Sequence, residues 1–203
     1  MSVALNPATL AIDAAAAGVL FREGRTAYAF TDEPVSDAQL ADIYELMRHA
    51  PTAMNTQPLR VAFVRSAEAK ARLLPHLAEG NRPKSESAPV VAILAADTDF
   101  HEHLPRLLPM VENAKDRFAD DAARMEAARF NASLQAGYFL LAVRAVGLDA
   151  GPMGGFDATG VDAEFFADNT FRSILVVNIG HVAEGGSFPR KPHMGFEQAV
   201  TIL

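Results

Sequence analysis

Residues 89–96 most constrain the fold, because Pro-Val-Val-Ala-Ile-Leu-Ala-Ala contains no polar side chain. A strand with one face in water alternates apolar and polar residues, whereas a continuous apolar run is typical of a strand covered on both faces. Residues 171–180 form a second strong strand pattern, and residues 59–64 form a mixed apolar one. Helical patterns separate these runs. The sequence therefore predicts an α+β sandwich in which a small mixed or antiparallel sheet, of about four strands, is covered by helices.

The helical patterns begin at recognisable caps. Ser36 opens a capping box with Gln39, and Ser66 caps the next helix. A longer helix is predicted from about residue 120 to 146, ended by Gly147, and an N-terminal helix is predicted to begin at Asn6-Pro7 and to run to about Phe21. The side chains expected to be buried on these helices are Leu40, Ile43, Tyr44, Met47, Leu73, Leu74, Leu77, Met125, Leu134, Phe139, Leu140 and Val143.

Two loops stand out for their backbone chemistry. Residues 49–58, His-Ala-Pro-Thr-Ala-Met-Asn-Thr-Gln-Pro, can neither continue a helix nor pair as a central strand, because each proline lacks an N–H group. Their hydroxyls and amides suit contact with a polar ligand, although a loop that only bonds its own backbone is an open alternative. Residues 148–156 contain three glycines and one proline, which predicts close approach of this backbone to another group.

Composition excludes several classes of function. The 203 residues are half hydrophobic and are expected to form one domain, 1–203. The sequence contains no cysteine and no run of 18 uncharged apolar residues, so thiolate chemistry, Cys-ligated metals and a membrane span are excluded. A net charge of −7 argues against nucleic acid as a partner. The six histidines form no HExxH-like pair, and no secretory leader is evident, so a cytoplasmic location is expected.

A Rossmann fold is the alternative architecture. It requires a glycine-rich turn directly after the first strand, with GxGxxG spacing into a helix. Neither Gly80 nor the glycines of residues 151–155 have that spacing. A nicotinamide dehydrogenase of that fold is therefore disfavoured.

Four motifs in order resemble the FMN-dependent nitroreductase family across roughly residues 20–200. They are Arg25-Thr26-x-x-x-Phe30; Ala50-Pro51-Thr52-x-x-Asn55-x-Gln57-Pro58; Gly137-x-Phe139-Leu140-Leu141 with Gly151-Pro152-Met153-x-Gly155-Phe156-Asp157; and Asn178-Ile179-Gly180. Within the family, the chain is most similar to the malonic semialdehyde reductase branch of pyrimidine utilisation. Features of that branch are Glu79-Gly80-Asn81, the His-Leu-Pro-Arg-Leu-Leu-Pro segment and Phe196-Glu197-x-Ala199.

The resemblance implies a three-layer sandwich, an interlocked homodimer and FMN at the subunit interface. Arg25 and Thr26 correspond to positions that bind the FMN phosphate or ribityl chain, unless they are only an exposed pair. Tyr28 stands where relatives often place a second basic residue near the flavin. Arg190 is the favoured second phosphate contact, ahead of Lys191, and a solvated basic turn is the alternative for both.

Further positions correspond to contacts with the flavin ring. Pro51, Thr52, Ala53 and Asn55 are expected to reach the ring from the partner subunit, and Pro152, Met153, Gly154 and Gly155 to pass under it. Gly154 replaces a glutamate found in many relatives. The amides of Asn81 and Asn131 match positions that bond the flavin, although Asn131 could equally be a buried helix amide satisfied by its neighbours.

The reaction implied by the resemblance is ping-pong hydride transfer from NADH or NADPH, through FMN, to a carbonyl, nitro or quinone acceptor. No side chain is assigned a catalytic role, although Thr52 or Tyr28 could supply a proton. Three functions stay open: reduction of malonic semialdehyde (3-oxopropanoate) to 3-hydroxypropanoate, broad nitro or quinone reduction, and flavin binding without turnover. Arg106 or His103, in the poorly patterned residues 99–119, could bind the carboxylate of the first substrate.

Overall fold

Four antiparallel strands form the sheet of the computed structural model, which describes residues 10–203. They are β1 (Leu59–Val64), β2 (Val90–Asp97), β3 (Asp149–Met153) and β4 (Phe171–Gly180). The order across the sheet is β1-β2-β4-β3, so β1 and β3 lie at opposite edges. The sequence patterns gave the bounds of β1 and β4 correctly, and each pair of neighbouring strands is antiparallel.

Strand β2 is covered on both faces, as its apolar run predicts. Val90, Ala92 and Leu94 belong to a core on one face of the sheet, and none of them has exposed surface. Val91 and Ile93 alternate with them and belong to a second core on the other face. Because successive side chains of a strand point to opposite faces, this one strand contributes to both cores.

Helices cover each face of the sheet. On one face lie α2 (Asp37–Met47) and α6 (Asp121–Ala145); on the other lie α3 (Ala67–Leu73) and α7 (Ala158–Phe165). The described chain also contains α1 (Ala14–Ala17), which a π-helical segment (Gly18–Arg22) extends, α4 (Arg82–Ser87), α5 (Leu104–Leu107) and α8 (Phe196–Ala199). Single 3₁₀ turns occur at Ala53–Asn55, Leu74–His76, Glu79–Asn81, Phe100–His103 and Ala114–Phe118. The predicted three-layer α+β sandwich is confirmed.

The helix ends follow the predicted chemistry. Ser36 and Gln39 form the reciprocal capping box, and the Ser66 hydroxyl accepts the N–H of Ala69. Gly147 has φ +80°, a conformation that glycine adopts without strain, directly after α6. The helix start predicted at Asn6-Pro7 lies outside the described residues. Within them the prediction is wrong for residues 10–13, because the helix begins at Ala14, where the Asp13 side chain caps it by accepting the N–H of Ala16.

Two kinds of prediction need correction: the burial of three helical side chains and the structure of residues 149–153. Met125 and Leu134 of α6 were expected inside, but 52% and 42% of their surfaces are exposed, and Tyr44 of α2 is 54% exposed. The 3.6-residue period places Phe139 and Val143 on the buried side of α6, and Leu134 falls outside that side. Met125 lies on the buried side, five turns before Val143, but it precedes Ala128, the first buried residue of the helix. For residues 149–153 the glycines and the proline predicted only a backbone that another group approaches closely. These residues form β3, the edge strand that pairs with β4.

The described residues contain neither a membrane-spanning helix nor a cluster of metal ligands. No helix between residues 10 and 203 combines the length and apolarity needed to cross a membrane. The same residues contain no group of three or more His, Asp or Glu side chains placed to hold a metal ion.

Candidate active site

The predicted site residues fall into two groups at opposite edges of the sheet. The first group, here called the cradle, lies beside β3 and consists of Arg25, Thr26, Tyr28, Asn81, Pro152, Met153, Gly154, Gly155 and Arg190. The second group lies before β1 and consists of Pro51, Thr52, Ala53 and Asn55, with Asn131 of α6 bonded to them. Residues 51–58 are called the β1 loop below.

The two groups are far apart within one chain. Leu59 at the start of β1 pairs with Ala96, whereas Gly151 of β3 pairs with Asn178, which pairs with Val91. Three strand spacings across the sheet and five residues along β2 separate these positions, which corresponds to roughly 20 Å. One chain therefore does not bring both groups to the same small ring.

The cradle begins with a chain segment held against β3. The N–H of Ala27 donates to the carbonyl of Ala150 at 3.1 Å, and the N–H of Tyr28 donates to the carbonyl of Gly186 at 2.7 Å. A Cβ atom at Gly151 would lie 2.5 Å from the carbonyl oxygen of Ala27. Glycine at this position is what allows residues 25–28 to lie directly against β3.

Positive charge collects at one end of the cradle. Arg25, Thr26, Tyr28 and Arg190 line a pocket of about 240 Å³. The Arg25 Nη1 donates to the carbonyls of residues 22, 23 and 24 at 3.2, 3.0 and 2.8 Å, and the Arg190 Nη2 donates to two of the same carbonyls. Neither guanidinium pairs with a carboxylate among the described residues, so the pocket suits an anion such as a phosphate.

The other end of the cradle offers backbone donors. The carbonyl of Gly155 accepts from the N–H of Ala78 at 3.0 Å and from the Asn81 amide at 2.8 Å. Both contacts fix the backbone of residues 154–155, which is exposed. The N–H groups of Gly154 and Gly155 donate to no acceptor in the described part of the chain, so they are available to a ligand.

Lys84 lies beside the cradle and was not among the residues predicted from the sequence. Its Nζ lies 5.0 Å from the centre of the Tyr28 ring, which in turn packs edge-on against Phe188. Burial lowers the pKa of Lys84 from its ordinary value of 10.5, and no carboxylate pairs with it among residues 10–203. Lys84, in α4 and one helical turn after Asn81, is therefore a candidate for the basic group expected near position 28. The sequence signal for Lys84 was its position three residues after Asn81, since residues at i and i+3 lie on the same side of a helix.

The β1 loop has an unusual backbone. Met54, Asn55 and Gln57 have φ values of 53°, 54° and 42°, in the left-handed region that non-glycine residues rarely adopt. Side chains hold this shape: the Asn55 amide donates to the carbonyl of Leu107 at 2.8 Å, and the Thr52 hydroxyl accepts the N–H of Gln57 at 3.2 Å. The exposed side of the loop carries Pro51, Ala53 and Asn55.

Asn131 is buried behind this loop. Its amide oxygen accepts the N–H of Ala53 at 2.7 Å, and its amide nitrogen donates to the carbonyl of Ala127 at 2.9 Å. The side chain thus has the internal partners that the buried-amide alternative requires. A direct contact between Asn131 and a cofactor stays a prediction.

His103 and Arg106, the candidates for a substrate anion, line a separate cleft of about 750 Å³ between α2, β1 and α5. Arg60 also lines the cleft and donates to the buried carboxylate of Asp97 at 2.7 Å. Arg106 forms no ion pair within residues 10–203. The carbonyl of Leu107, next in sequence, accepts from Asn55, so this cleft adjoins the β1 loop.

Residues 22–181 match the sequence profile of the nitroreductase family, which covers the cradle residues up to Gly155 and the whole β1 loop. The chain belongs to the nitroreductase family. The predicted family is therefore confirmed, and the malonic semialdehyde reductase branch stays a prediction.

Nitroreductase relatives match over nearly the full chain. A Streptomyces coelicolor protein is 60% identical over 190 residues, which are 93% of this chain and 94% of the relative. A Streptomyces griseus protein is 53% identical over 196 residues, covering 96% and 100%. Both carry the provisional name NADH dehydrogenase/NAD(P)H nitroreductase.

Solved nitroreductase structures share the fold at low identity. One is a Staphylococcus epidermidis protein that carries the provisional name NAD(P)H:FMN oxidoreductase. It superposes with a TM-score of 0.81 at 19% identity, and the match covers 98% of this chain and 100% of that one. A nitroreductase of Exiguobacterium sibiricum, also named provisionally and solved in complex with FMN, gives 0.78 at 19% identity, covering 92% and 96%. These likenesses concern the fold alone.

Proposed function

We propose that this protein is an FMN-dependent NAD(P)H oxidoreductase whose cofactor lies in the cradle. The observation that carries the proposal is the arrangement of donors there. Among residues 10–203, the two guanidiniums at one end have no carboxylate partner, and the N–H groups of the two exposed residues at the other end have no acceptor. A phosphate dianion fits the Arg25 and Arg190 end. The polar edge of an isoalloxazine fits the N–H groups of Gly154 and Gly155.

The cofactor site is proposed to form between two copies of the chain. The cradle and the β1 loop both carry residues assigned to the flavin, yet roughly 20 Å separates them in one chain. Phe130, Leu134 and Tyr138 of α6 form an apolar stripe at i, i+4 and i+8, with exposures of 63%, 42% and 43%. A two-fold contact through this stripe lets the loop of each copy complete the cradle of the other.

The residues of the chain then have distinct roles. When bound, FMN supplies hydride transfer from NADH or NADPH to an acceptor. Arg25 and Arg190 hold the phosphate, and the backbone of residues 154–155 orients the ring. Lys84 places a positive charge beside Tyr28, where it stabilises negative charge on a reduced cofactor. Gly154 adds no side chain above the backbone, and a Cβ there would meet nothing within 4 Å.

The proposed acceptor is a short aldehyde carboxylate, malonic semialdehyde (3-oxopropanoate), which is reduced to 3-hydroxypropanoate. Arg106 lies next to Leu107, to which Asn55 of the β1 loop is bonded, so its guanidinium is a candidate for the carboxylate. A carbonyl acceptor also needs a proton at oxygen. The Thr52 hydroxyl accepts the N–H of Gln57 and can direct its own proton elsewhere, and the Tyr28 hydroxyl is the second candidate.

Reduction of nitro compounds or quinones is the second candidate function. The names of the two Streptomyces relatives, NADH dehydrogenase/NAD(P)H nitroreductase, favour it. The same cradle serves both functions, because the cofactor site does not select the acceptor. Flavin binding without turnover is the third function, motivated by the neutral Tyr28 and by Gly154. Lys84 argues against it, because its ammonium supplies the positive charge that Tyr28 lacks.

Reconstitution with FMN followed by anaerobic NADH or NADPH tests the proposal. We expect one FMN per chain, a yellow protein, and loss of the visible flavin bands on adding the nicotinamide. A colourless protein in excess FMN would refute the flavin site, and a yellow protein that neither NADH nor NADPH bleaches would be a passive binder. The ratio of kcat/KM for 3-oxopropanoate to that for a nitroaromatic then decides between the two reductases.

A further inference from the structure

Two buried amides on α6 bond the chain on either side of residues 54–58 of the β1 loop, at Ala53 and at Leu59, the first residue of β1. Asn131 and Gln135 are one helical turn apart, and each is 3% exposed. The Asn131 oxygen accepts the N–H of Ala53 at 2.7 Å, and the Gln135 oxygen accepts the N–H of Leu59 at 2.9 Å. A residue at i and a residue at i+4 lie on the same face of a helix, so both amides point to the same loop.

The loop between these two bonds has a conformation that its sequence does not favour. Met54, Asn55 and Gln57 all have positive φ, and none of them is glycine. A left-handed backbone at such residues persists only where surrounding contacts determine it. The Asn131 and Gln135 bonds join this segment to α6, which belongs to the first core, and the N–H of Asp97 in β2 donates to the carbonyl of Pro58 at 2.9 Å beside them.

The orientation of the Asn131 amide is itself fixed. Its nitrogen donates to the carbonyl of Ala127 at 2.9 Å, so its oxygen faces the loop. Both polar atoms of the amide are thereby engaged inside the chain. The amide can act on a cofactor through the position of the loop without touching the cofactor.

We infer that Asn131 and Gln135 are positioning residues: a two-point clamp through which each chain presents its β1 loop to the FMN in the cradle of the partner copy. This inference rests on the proposed function. It assigns the effect of each amide to the cofactor of the other subunit. A residue that only stabilises its own chain would not have that effect.

Asn131→Leu removes the acceptor while keeping a similar side-chain volume. The variant should bind FMN about tenfold more weakly, as expected when a buried donor loses its partner. Gln135→Met should act in the same direction. The matched control is Ser133→Ala on the same helix, and this variant should bind FMN as the wild type does. Within the described part of the chain, the Ser133 hydroxyl bonds only the carbonyl of Arg129.

Mixed dimers test the assignment between subunits. Chains with Asn131→Leu and chains with Arg25→Ala are co-expressed with different tags, and the heterodimer is purified through both. In that dimer the cradle of the Asn131→Leu chain meets an unaltered loop, so this one site should bind FMN with wild-type affinity. Weak binding at this site, as in the Asn131→Leu homodimer, would overturn the inference, since Asn131 would then act within its own chain.

The outcomes separate the clamp from the proposed function. A wild-type protein that binds no FMN refutes the proposed function and the clamp with it. A wild type that binds FMN, together with an Asn131→Leu homodimer of equal affinity, refutes the clamp alone. If Asn131→Leu does not fold, Gln135→Met in the same mixed dimer gives the same decision.

Discussion

Gly151→Ala tests the packing that builds the cradle. The added Cβ would lie 2.5 Å from the carbonyl oxygen of Ala27 and 3.4 Å from the Cβ of Asn178. The first contact is with backbone, which cannot rotate away, and the Ala27 N–H is bonded to the adjacent carbonyl of Ala150. Residues 25–28 must therefore move outward from β3. Overpacking of this kind costs about 1–3 kcal/mol of the free energy of unfolding.

The expected shift is measurable by thermal unfolding of the apo protein. For a chain of this length, each kcal/mol corresponds to about 2–4 °C, so Gly151→Ala should lower the Tm by roughly 2–12 °C. FMN affinity should fall as well, because Arg25, Thr26 and Tyr28 are on the displaced segment. The matched control is Gly154→Ala, whose Cβ would meet nothing within 4 Å and which should leave the apo Tm unchanged. Equal Tm values for both variants would refute the packing argument.

Three further predictions concern charge, substrate and assembly. Lys84→Met should lower the two-electron reduction potential of bound FMN, by about 30 mV for each tenfold loss of preference for the reduced form. Burial lowers the pKa of Lys84, so the ammonium should lose its proton, and with it the attraction for FMN, at a pH below the 10.5 of an ordinary lysine. FMN affinity of the wild type should therefore decline at alkaline pH, and Lys84→Met should lack this decline. Arg106→Ala should raise KM for 3-oxopropanoate and leave KM for a neutral quinone unchanged. Phe130→Glu should weaken the dimer in size-exclusion chromatography, since it puts a charge into the apolar stripe of α6.

Each of these predictions has an outcome that contradicts it. An unchanged potential and an unchanged alkaline profile in Lys84→Met would place that ammonium away from the flavin. Equal effects on both acceptors would remove Arg106 from the substrate site. A Phe130→Glu protein that stays dimeric at low concentration would move the interface away from the stripe.

The sequence was sufficient for the elements whose burial follows a simple period. Residues 90–97 form a strand with both faces covered because each side chain of the run except Asp97 is apolar. The caps at Ser36 and Ser66 and the glycine at 147 are local signals, and the structure agrees with them. Such features depend on neighbours a few residues away, which a single sequence displays.

Other features depend on contacts between distant residues, and a single sequence does not display them. Leu134 suits a core by composition, but it lies on the side of α6 that faces away from the sheet, so it is exposed. Met125 lies on the sheet-facing side but near the start of the helix, before the first buried residue, Ala128, and it is exposed as well. Residues 149–153 are rich in glycine and proline, and only pairing with β4 makes them a strand. Lys84 joins the site because α4 brings it over Tyr28, which lies 56 positions earlier in the chain. The resemblance placed the β1 loop on the partner subunit, and the strand order adds the distance between the loop and the cradle within one chain.

The central claim is that one FMN is held by two copies of the chain. Sedimentation velocity of the FMN-loaded protein tests this claim directly. Absorbance is followed at the ultraviolet band of the protein and at the visible band of the flavin, over a dilution series. The claim predicts that the flavin sediments only with the dimer, two per dimer, and is released as dilution produces monomer. A monomer that carries one FMN at full stoichiometry would contradict it.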